Sequence, residues 1–275
     1  MLAEVDVSGI DRLTSTSVDK KSIVAIIPAR YGSTRLTGKP LLDLAGKTLI
    51  QRVYEQVLKS HLVSSVIVAT DDSRIGAAVE AFGGHWQMTL ASHRTGTDRI
   101  AEVARNLRSE LIVNVQGDEP FISPQTIDAA IEPLLEDPML QMSTTCELLQ
   151  PDQLLDPHVV KVVTDDQGYA LYFSRAPIPF PRDAYLKAGM QGLQQQVGAL
   201  IGSFKRHAGL YVYRRDFLLC YASWPCSPLE EIEQLEQLRA LERGVKIKVV
   251  QVEQSSFGID TPQDLERALK LLENR

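Results

Sequence analysis

Cysteine and long apolar runs are the two features that this sequence lacks most clearly. The 275 residues contain three cysteines, Cys146, Cys220 and Cys226, with no C-x-x-C pair and no Cys/His spacing typical of a zinc site. Such an odd, sparse set argues against a disulfide framework and indicates buried thiols in a reducing compartment. No segment approaches the roughly 18 consecutive apolar residues of a membrane span. We therefore expect a cytoplasmic protein that does not cross a membrane.

An excess of basic residues is also absent. The formal net charge is -6, so the chain has no general attraction for nucleic acid or for an anionic membrane surface. Any anion that it binds must be held by a local basic site. Hydrophobic residues make up 44% and charged residues 23% of the sequence. These values are typical of globular proteins and exclude a disordered chain, a collagen and a coiled-coil rod.

The N-terminal 22 residues lack the features of a targeting signal. They contain no basic start followed by an apolar core, and they carry several acidic side chains. These are Glu4, Asp6, Asp11 and Asp19. We expect residues 1–22 to form a disordered acidic tail and residues 23–275 to form a single folded domain.

The first half of the folded part alternates short apolar runs with segments of helical periodicity. The apolar runs, which predict buried strands, are 23–28, 65–70 and 111–115. This alternation is typical of an α/β fold, in which helices cover both faces of a mostly parallel sheet. In such sheets ligands bind beyond the carboxyl ends of the strands, so we expect the chemistry there.

The second half is more mixed. A hairpin is predicted over 159–173, and the glycine- and glutamine-rich segment 184–203 is expected to form a mobile loop that could serve as a lid. The segment 228–243 is predicted to be helical, but its apolar residues recur every three positions. At 3.6 residues per turn such a row drifts by about 60° per step. Either the helix breaks, or it buries a broad apolar face, as in a subunit interface.

The most informative segment is the loop that follows the first predicted strand. Residues 28–40 contain three cations, Arg30, Arg35 and Lys39, together with two glycines. Loop amides and converging cations are what a nucleoside triphosphate requires, since it carries about four negative charges. The loop is not a Walker A motif, because its glycine spacing is one residue too long and proline follows the lysine. The alternative is an exposed basic turn.

Two aspartates are candidate ligands for a divalent cation. Asp118 stands in the segment QGDEP after the strand at 111–115, and Asp260 stands in GIDTP before the last predicted helix. Mg²⁺ prefers one or two carboxylates together with phosphate oxygens. Taken alone, Asp260 also fits the acidic start of a helix, so the residues by themselves leave both interpretations open.

Nine segments of the chain match motifs of one known family. In chain order they are IIPARYGSTRLTGKP, VIVATDD, TGTDR, IVNVQGDEP, VKVV, YALYFSRAPIP, HAGLYVYR, SPLEEIEQLEQLRALERG and GIDTPQDLERA. They run from about residue 23 to about residue 272, which is nearly the whole folded part. The chain therefore resembles the 3-deoxy-manno-octulosonate cytidylyltransferase family.

The resemblance implies a fold, an activity and partners. The family has a Rossmann-like nucleotidyltransferase fold with a mostly parallel central sheet and an inserted dimerisation and sugar-binding region, here roughly 150–245. It uses CTP and Mg²⁺ to activate the acid sugar 3-deoxy-D-manno-octulosonate (Kdo). The products are CMP-Kdo and pyrophosphate, and CMP-Kdo supplies lipopolysaccharide synthesis. The resemblance thus implies a homodimer whose partners are these small molecules, with no nucleic acid and no membrane.

The resemblance also implies roles for individual residues. The CTP-phosphate positions are Arg30, Ser33, Arg35 and Lys39, and the cytosine-side positions are Thr95, Gly96 and Thr97. The sugar-side positions are Gln116, Arg182, His207, Tyr211, Glu236 and Gln237, with Arg175 as an alternative anion partner. The metal positions are Asp118 and Asp260, and the expected catalytic residues are Arg30, Arg35, Lys39 and Asp118.

The chain departs from the family pattern in a few places. Thr37 stands where the family usually has proline, and residues 1–22 have no counterpart in typical members. The match is looser around Arg182. None of these departures removes a cation or a carboxylate from the proposed chemistry.

Three alternatives remain at this point. A nucleotidyltransferase of the same fold that activates sialic acid, 8-amino-Kdo or a sugar 1-phosphate would share the phosphate loop. A CTP-sensing module without turnover would share the binding residues, although intact Lys39, Asp118 and Asp260 favour an enzyme. A dinucleotide-dependent oxidoreductase would need a G-x-G-x-x-G fingerprint, which the sequence lacks.

Overall fold

A central sheet organises the part of the chain that the computed structural model describes, residues 22–32, 36–196, 202–253 and 257–273. The nine strands found there are β1 Ile23–Ala29, β2 Ser65–Thr70, β3 Trp86–Met88, β4 Leu111–Asn114, β5 Met142–Leu148, β6 Lys161–Thr164, β7 Ala170–Ser174, β8 Lys205–Arg214 and β9 Ile247–Gln251. The helices in the same residues are α1 Leu49–Val57, α2 Ser73–Ala81, α3 Gly96–Ala104, α4 Pro124–Glu136, α5 Arg182–Gln196, α6 Arg215–Ser223, α7 Pro228–Glu233, α8 Leu238–Glu242 and α9 Pro262–Glu273.

The strand order is β3-β2-β1-β4-β8-β5-β9. Strands β1 to β4 are mutually parallel where they pair, and β9 runs parallel to β5. Strand β8 is antiparallel to both of its neighbours, β4 and β5. The hairpin β6–β7 joins the sheet through β8. The prediction of an α/β fold with a mostly parallel sheet is confirmed.

Helices cover both faces of the sheet, and β1 shows why. Its residues alternate between two apolar cores, with Ile23, Ala25 and Ile27 facing one and Val24 and Ile26 facing the other. Side chains of α1, α2, α4 and α9 fill the first core, and those of α3, α6 and α8 contribute to the second. A strand buried on both faces must be apolar throughout, which explains the continuous apolar runs in the sequence.

The prediction of a mobile loop over residues 184–203 is wrong for most of that segment. Helix α5 occupies Arg182–Gln196, interrupted at Gly189, where φ is 63° and ψ is -176°. The helix is fixed from beneath, because Leu193 is buried against Leu149, Leu154 and Phe204. The glycine content that suggested a loop therefore produces a kink. Residues 197–201 lie outside the described residues, and so does nearly all of the predicted acidic tail.

The helix predicted over 228–243 is broken, as one of the two interpretations required. Helix α7 ends at Glu233, the next residue Gln234 adopts the left-handed conformation with φ of 53°, and α8 begins at Leu238. The break lets Leu235 and Leu238 enter the core, while Ile232 is 79% exposed. The three-residue spacing thus reflects a change of direction. The alternative of a subunit interface stays a prediction.

No helix in the described ranges is long and apolar enough to cross a membrane.

Candidate active site

A cavity of about 290 Å³ opens at the carboxyl ends of β1 and β4. Segments that are far apart in sequence meet there: the loop after β1, the start of α3, the loop after β4 and the turn before α9. The lining residues are Pro28, Ala29, Arg30, Lys39, Pro40, His93, Arg94, Thr95, Gly96, Arg99, Gln116, Gly117, Asp118 and Asp260. The position agrees with the expectation for a parallel sheet, whose loops leave the strands at the same edge.

Close backbone approach shapes the floor of this cavity. A Cβ atom at Gly117 would lie 2.8 Å from the carbonyl oxygen of Pro28, so the loop after β4 can approach β1 this closely only as glycine. At the other end of the first loop, Gly38 has a φ of 68°, and its N–H donates to the Tyr31 carbonyl at 3.0 Å. This turn starts the short 3-10 helix Lys39–Leu41 and aims Lys39 into the cavity.

The Lys39 ammonium group lies between the two candidate metal-binding carboxylates. Its Nζ donates to Asp118 Oδ2 at 2.6 Å and to Asp260 Oδ1 at 2.8 Å. The lysine side chain is only 12% exposed, whereas those of Asp118 and Asp260 are 31% and 48% exposed. Two carboxylates so close together repel each other, and the shared cation offsets this repulsion. The fold therefore provides a position where two acidic groups converge on one positive charge.

This donor set fits a magnesium ion. Within the described ranges no group of three or more His, Cys, Asp or Glu side chains converges on one point. The chain would therefore supply the two carboxylates, and water or phosphate oxygens would complete the coordination. Mg²⁺ is usually bound in this way, because it loses its water reluctantly and takes one or two carboxylates beside a phosphate.

The start of α3 forms a second wall of the cavity. Thr95 caps this helix, since its Oγ1 accepts from the N–H of Asp98 at 3.1 Å and the Asp98 carboxylate accepts from the Thr95 N–H. The Thr95 and Thr97 hydroxyls also donate to the Glu236 carboxylate, at 3.2 and 2.8 Å. Residue Glu236 lies between α7 and α8, so this contact ties the second half of the chain to the rim of the cavity.

The Glu236 carboxyl has lost enough contact with solvent for its pKa to shift. Burial raises the pKa of the Glu236 carboxyl, while the Thr97 hydrogen bond and the nearby Arg239 charge act in the opposite direction. Arg239 itself is held by both oxygens of Glu230, at 2.7 and 2.5 Å. The two threonine hydroxyls therefore matter to Glu236, because they solvate a carboxylate that has lost most of its water.

Replacing Thr97 by valine tests this network. Thr97 is 2% exposed, and valine keeps its shape but removes the donor to the Glu236 carboxylate. We expect the free energy of unfolding, measured with urea, to fall by about 1–3 kcal/mol. The matched control is Thr126→Val in the first turn of α4. Thr126 is 8% exposed, and the described residues give its hydroxyl no hydrogen bond. Equal losses in the two variants would contradict the network.

The sequence is similar to those of known cytidylyltransferases. The profile of the cytidylyltransferase family matches residues 24–247. The 3-deoxy-manno-octulosonate cytidylyltransferase of Syntrophotalea carbinolica is 56% identical over 247 residues, which is 90% of this chain and 96% of that protein. The protein of the same name from Geobacter sulfurreducens is 53% identical over 252 residues, covering 91% of this chain and 99% of that protein. The chain belongs to the 3-deoxy-manno-octulosonate cytidylyltransferase family.

Solved structures agree with this assignment. A CMP:2-keto-3-deoxy-manno-octonic acid synthetase complexed with CTP matches with a TM-score of 0.83 and 42% identity, over 92% of this chain and 99% of that one. A cytidylyltransferase from Leptospira borgpetersenii matches with a TM-score of 0.60 and 17% identity, over 92% of this chain and 87% of that one, and shows the fold alone. The resemblance and the nucleotidyltransferase fold expected from the motifs are confirmed.

The sugar-side residues assigned from the family occupy different surroundings. His207 and Tyr211 lie on β8 with ring centroids 5.3 Å apart, and both are half-buried. Gln116 lines the cavity and donates from Nε2 to the Gly209 carbonyl of the same strand at 3.3 Å. Gln237 is 5% exposed, and its Nε2 has no hydrogen-bond partner in the described part of the chain.

Neither of the two arginines considered for the sugar's carboxylate lines the cavity. Arg182 is the first residue of α5. Its side chain is 76% exposed, pairs with Asp183 at 3.1 Å and does not line the cavity. Arg175, the alternative, donates from Nε to the Glu233 carbonyl and from Nη1 to the Pro157 carbonyl, each at 2.8 Å. Its guanidinium therefore joins chain segments and is a poor candidate for a substrate anion.

The protonation state of His207 decides which group of an acid sugar it can bind. Burial lowers the pKa of the His207 imidazole to about 3, with a smaller contribution from the Arg206 charge. The ring is therefore neutral at pH 7 and provides no positive charge for a carboxylate. A neutral imidazole fits a hydroxyl group of the sugar but does not provide the charge that its carboxylate requires.

Some of the residues assigned to the nucleotide line the cavity, and two lie outside the part of the chain that the structure describes. Arg30 is exposed and lines the cavity with Thr95 and Gly96, whereas Thr97 lies behind them. Ser33 and Arg35, two of the predicted phosphate ligands, lie outside the described residues.

Three titratable cavity residues, His93, Arg94 and Arg99, are absent from the site predicted from the sequence. Arg99 is 4% exposed, and its Nη2 pairs with Asp71 Oδ2 at 2.7 Å. For Arg99 a signal was present in the TGTDR segment, where an arginine stands one helical turn after the cap Thr95. Asp71 follows β2 directly, so this ion pair joins the end of that strand to α3.

Proposed function

We propose that this chain is a cytidylyltransferase that activates Kdo with CTP and releases CMP-Kdo and pyrophosphate. The observation that supports this most directly is the convergence of Lys39, Asp118 and Asp260 in one cavity, at 2.6 and 2.8 Å. In a member of this family, such a constellation beside a basic glycine loop fits a reaction that transfers a nucleotidyl group.

The nucleotide is proposed to bind with its triphosphate between Arg30 and Lys39. Both cations line the cavity, and Ser33 and Arg35 are proposed to complete the phosphate site. Thr95 and Gly96, at the start of α3, line the same space, and together with Thr97 behind them they are proposed to receive the cytosine side. The cations of the phosphate site, Arg30 and Lys39, would stabilise the charge that shifts onto the pyrophosphate leaving group.

Asp118 and Asp260 are the residues that would hold Mg²⁺. When bound, this ion would neutralise phosphate charge and lower the pKa of a nearby hydroxyl. The chain's own contribution is orientation: its residues hold the α-phosphorus in line with the sugar's anomeric hydroxyl, while the pyrophosphate departs on the opposite side. Lys39 would then exchange its carboxylate partners for phosphate oxygens, which keeps its charge compensated in the complex.

The acceptor is proposed to lie beside β8. Gln116, His207, Tyr211 and Gln237 offer neutral donors and acceptors, which suit a sugar with several hydroxyls. Arg182 stays a proposed partner of the sugar's carboxylate, because its guanidinium is exposed.

Pyrophosphate release tests this function. With Mg²⁺ and Kdo we expect release with CTP and little with UTP, ATP or GTP, and none when Kdo is omitted. Offering sialic acid and 8-amino-Kdo beside CTP tests the acceptor. Release with one of these and none with Kdo would reassign the acceptor within the same fold. Tight CTP binding with no release, from folded protein, would instead favour a CTP-sensing module.

We also propose that the protein acts as a cytoplasmic homodimer that supplies lipopolysaccharide synthesis. Large apolar side chains on and beside α5 support an interface in this region. Phe180 is 51%, Leu186 is 64% and Met190 is 47% exposed, and clustered apolar surface of this kind marks interaction sites. Light scattering after gel filtration should give twice the mass of the chain. The mass of a single chain at micromolar concentration would contradict the dimer.

A further inference from the structure

An irregularity in the pairing of β5 with β8 lies next to the proposed acceptor site. Thr144 pairs with Tyr211, but the next residue, Thr145, pairs with Ala208. Two residues of β8, Gly209 and Leu210, are therefore accommodated at a single step of β5. A bulge of this kind breaks the regular ladder of hydrogen bonds, so its carbonyl groups need other partners.

The Thr144 side chain supplies one of these partners. The residue is fully buried, and its Oγ1 lies 2.8 Å from the Leu210 carbonyl oxygen and 3.3 Å from the Ala208 carbonyl oxygen. The same Oγ1 lies 2.8 Å from His207 Nε2. A second carbonyl of the bulge, that of Gly209, accepts from Gln116. The bulge thus connects Thr144 to His207 and Gln116, two of the residues proposed to face the sugar.

The number of hydrogens decides the direction of these bonds. A hydroxyl has one hydrogen to donate, and a carbonyl oxygen can only accept. The hydrogen of Thr144 must therefore lie toward the carbonyls, since two oxygen atoms at 2.8 Å with no hydrogen between them would repel each other. The contact between Oγ1 and His207 then needs its hydrogen from the imidazole. His207 must carry its proton on Nε2.

The other ring nitrogen is left as an acceptor. The described residues give Nδ1 of His207 no hydrogen-bond partner. Phe173 and Tyr211 hold the ring, with centroids 5.1 and 5.3 Å from it. Since burial lowers the pKa of His207 to about 3, the imidazole stays neutral at pH 7 and the choice between its two tautomers is the only protonation question.

We propose that Thr144 is a positioning residue that fixes His207 as the Nε2–H tautomer, so that Nδ1 accepts a hydrogen bond from a hydroxyl group of the acceptor sugar. This inference deepens the proposed function and rests on it for the identity of the ligand. The tautomer itself is a property of the free protein. Thr144 acts through His207 and does not touch the substrate.

Nitrogen-15 NMR of the histidine side chains tests the tautomer without any substrate. The His207 signals are assigned by their loss in His207→Gln. We expect a protonated Nε2 and an unprotonated Nδ1 in the unmodified protein at pH 7. In Thr144→Val the fixed preference should be lost, with Nδ1–H populated, and Thr144→Ser should restore it. A protonated Nδ1 in the unmodified protein, or an unchanged tautomer in Thr144→Val, would overturn the inference.

Thr145→Val is the matched control. Thr145 is the adjacent residue of β5, is equally buried, and its Oγ1 has no hydrogen-bond partner among the described residues. The substitution therefore removes an equally buried hydroxyl from the opposite face of the same strand without breaking a bond. The His207 signals should keep the unmodified pattern in this variant. A shift equal to that of Thr144→Val would show a general effect of core substitution and would overturn the role of Thr144.

Steady-state kinetics test the consequence for the substrate. Thr144→Val should raise KM for Kdo about tenfold, the effect expected from losing one oriented hydrogen bond, while KM for CTP stays unchanged. Thr144→Ser should recover most of the loss. Equal rises in both KM values would contradict a role on the sugar side. If no acceptor gives turnover, the proposed function fails, whereas the NMR result still decides whether Thr144 fixes the tautomer.

Discussion

Replacing Asp118 by alanine is expected to abolish turnover while the protein stays folded. The Asp118 carboxylate lies on the cavity, 2.6 Å from the Lys39 ammonium, and its side chain is 31% exposed. The substitution removes half of the carboxylate pair proposed to hold Mg²⁺. Losing a group that stabilises transferring phosphate charge costs on the order of 10³-fold or more in kcat. Pyrophosphate release gives kcat, and circular dichroism with thermal unfolding checks the fold.

The control for Asp118 is the same substitution at an exposed aspartate outside the cavity. Asp166 lies in the turn of the β6–β7 hairpin and is exposed. Asp166→Ala should keep kcat and KM close to those of the unmodified protein. An unchanged kcat in Asp118→Ala would remove Asp118 from the catalytic machinery and would leave Asp260 without its proposed partner.

Replacing Lys39 by methionine is expected to reduce kcat/KM for CTP by about 10²- to 10³-fold, because a buried cation beside phosphate charge is lost. A second consequence concerns the free protein. Asp118 and Asp260 lose the cation that they share at 2.6 and 2.8 Å, so the repulsion between the two carboxylates increases. Added Mg²⁺ should therefore raise the melting temperature of Lys39→Met more than that of the unmodified protein, since a ligand that binds only the folded state stabilises it.

Lys59 provides the matched control for this prediction. It is exposed, lies just after α1, and its ammonium donates to Gln56 Oε1 at 2.9 Å. Lys59→Met removes one charge without touching the cavity, so its activity and its response to Mg²⁺ should follow the unmodified protein. An identical Mg²⁺ response in Lys39→Met would show that the ammonium and the metal ion do not share a position.

The parallel half of the fold could be predicted from the sequence, and the reason is physical. Strands buried on both faces need continuous apolar runs, so β1, β2 and β4 are visible as runs. Helix α5 could not be predicted in this way, because its stability depends on the contact of Leu193 with residues about forty positions earlier in the chain. The break at Gln234 left a trace in the three-residue spacing, but only tertiary packing decides which residue adopts the left-handed conformation.

Part of the candidate site could also be predicted from the sequence, for a related reason. Parallel strands deliver their loops to one edge, so Lys39 and Asp118 could be placed together from the sequence alone. Asp260 is 221 positions away from Lys39, and only the family resemblance indicated that the two meet. Thr144 carried no signal, because its contact with His207 depends on a shift in strand register. Arg182, where the match to the family is looser, lies at the surface, and its assignment to the sugar stays a prediction.

The most direct test of the central claim is to identify the product by phosphorus-31 NMR. A reaction of this protein with CTP, Kdo and Mg²⁺ should give a new phosphodiester resonance, in which CMP is joined to the sugar. It should rise together with pyrophosphate from the first time point, and neither signal should grow when Kdo is omitted. CMP and pyrophosphate without a phosphodiester, formed equally with and without Kdo, would contradict the account.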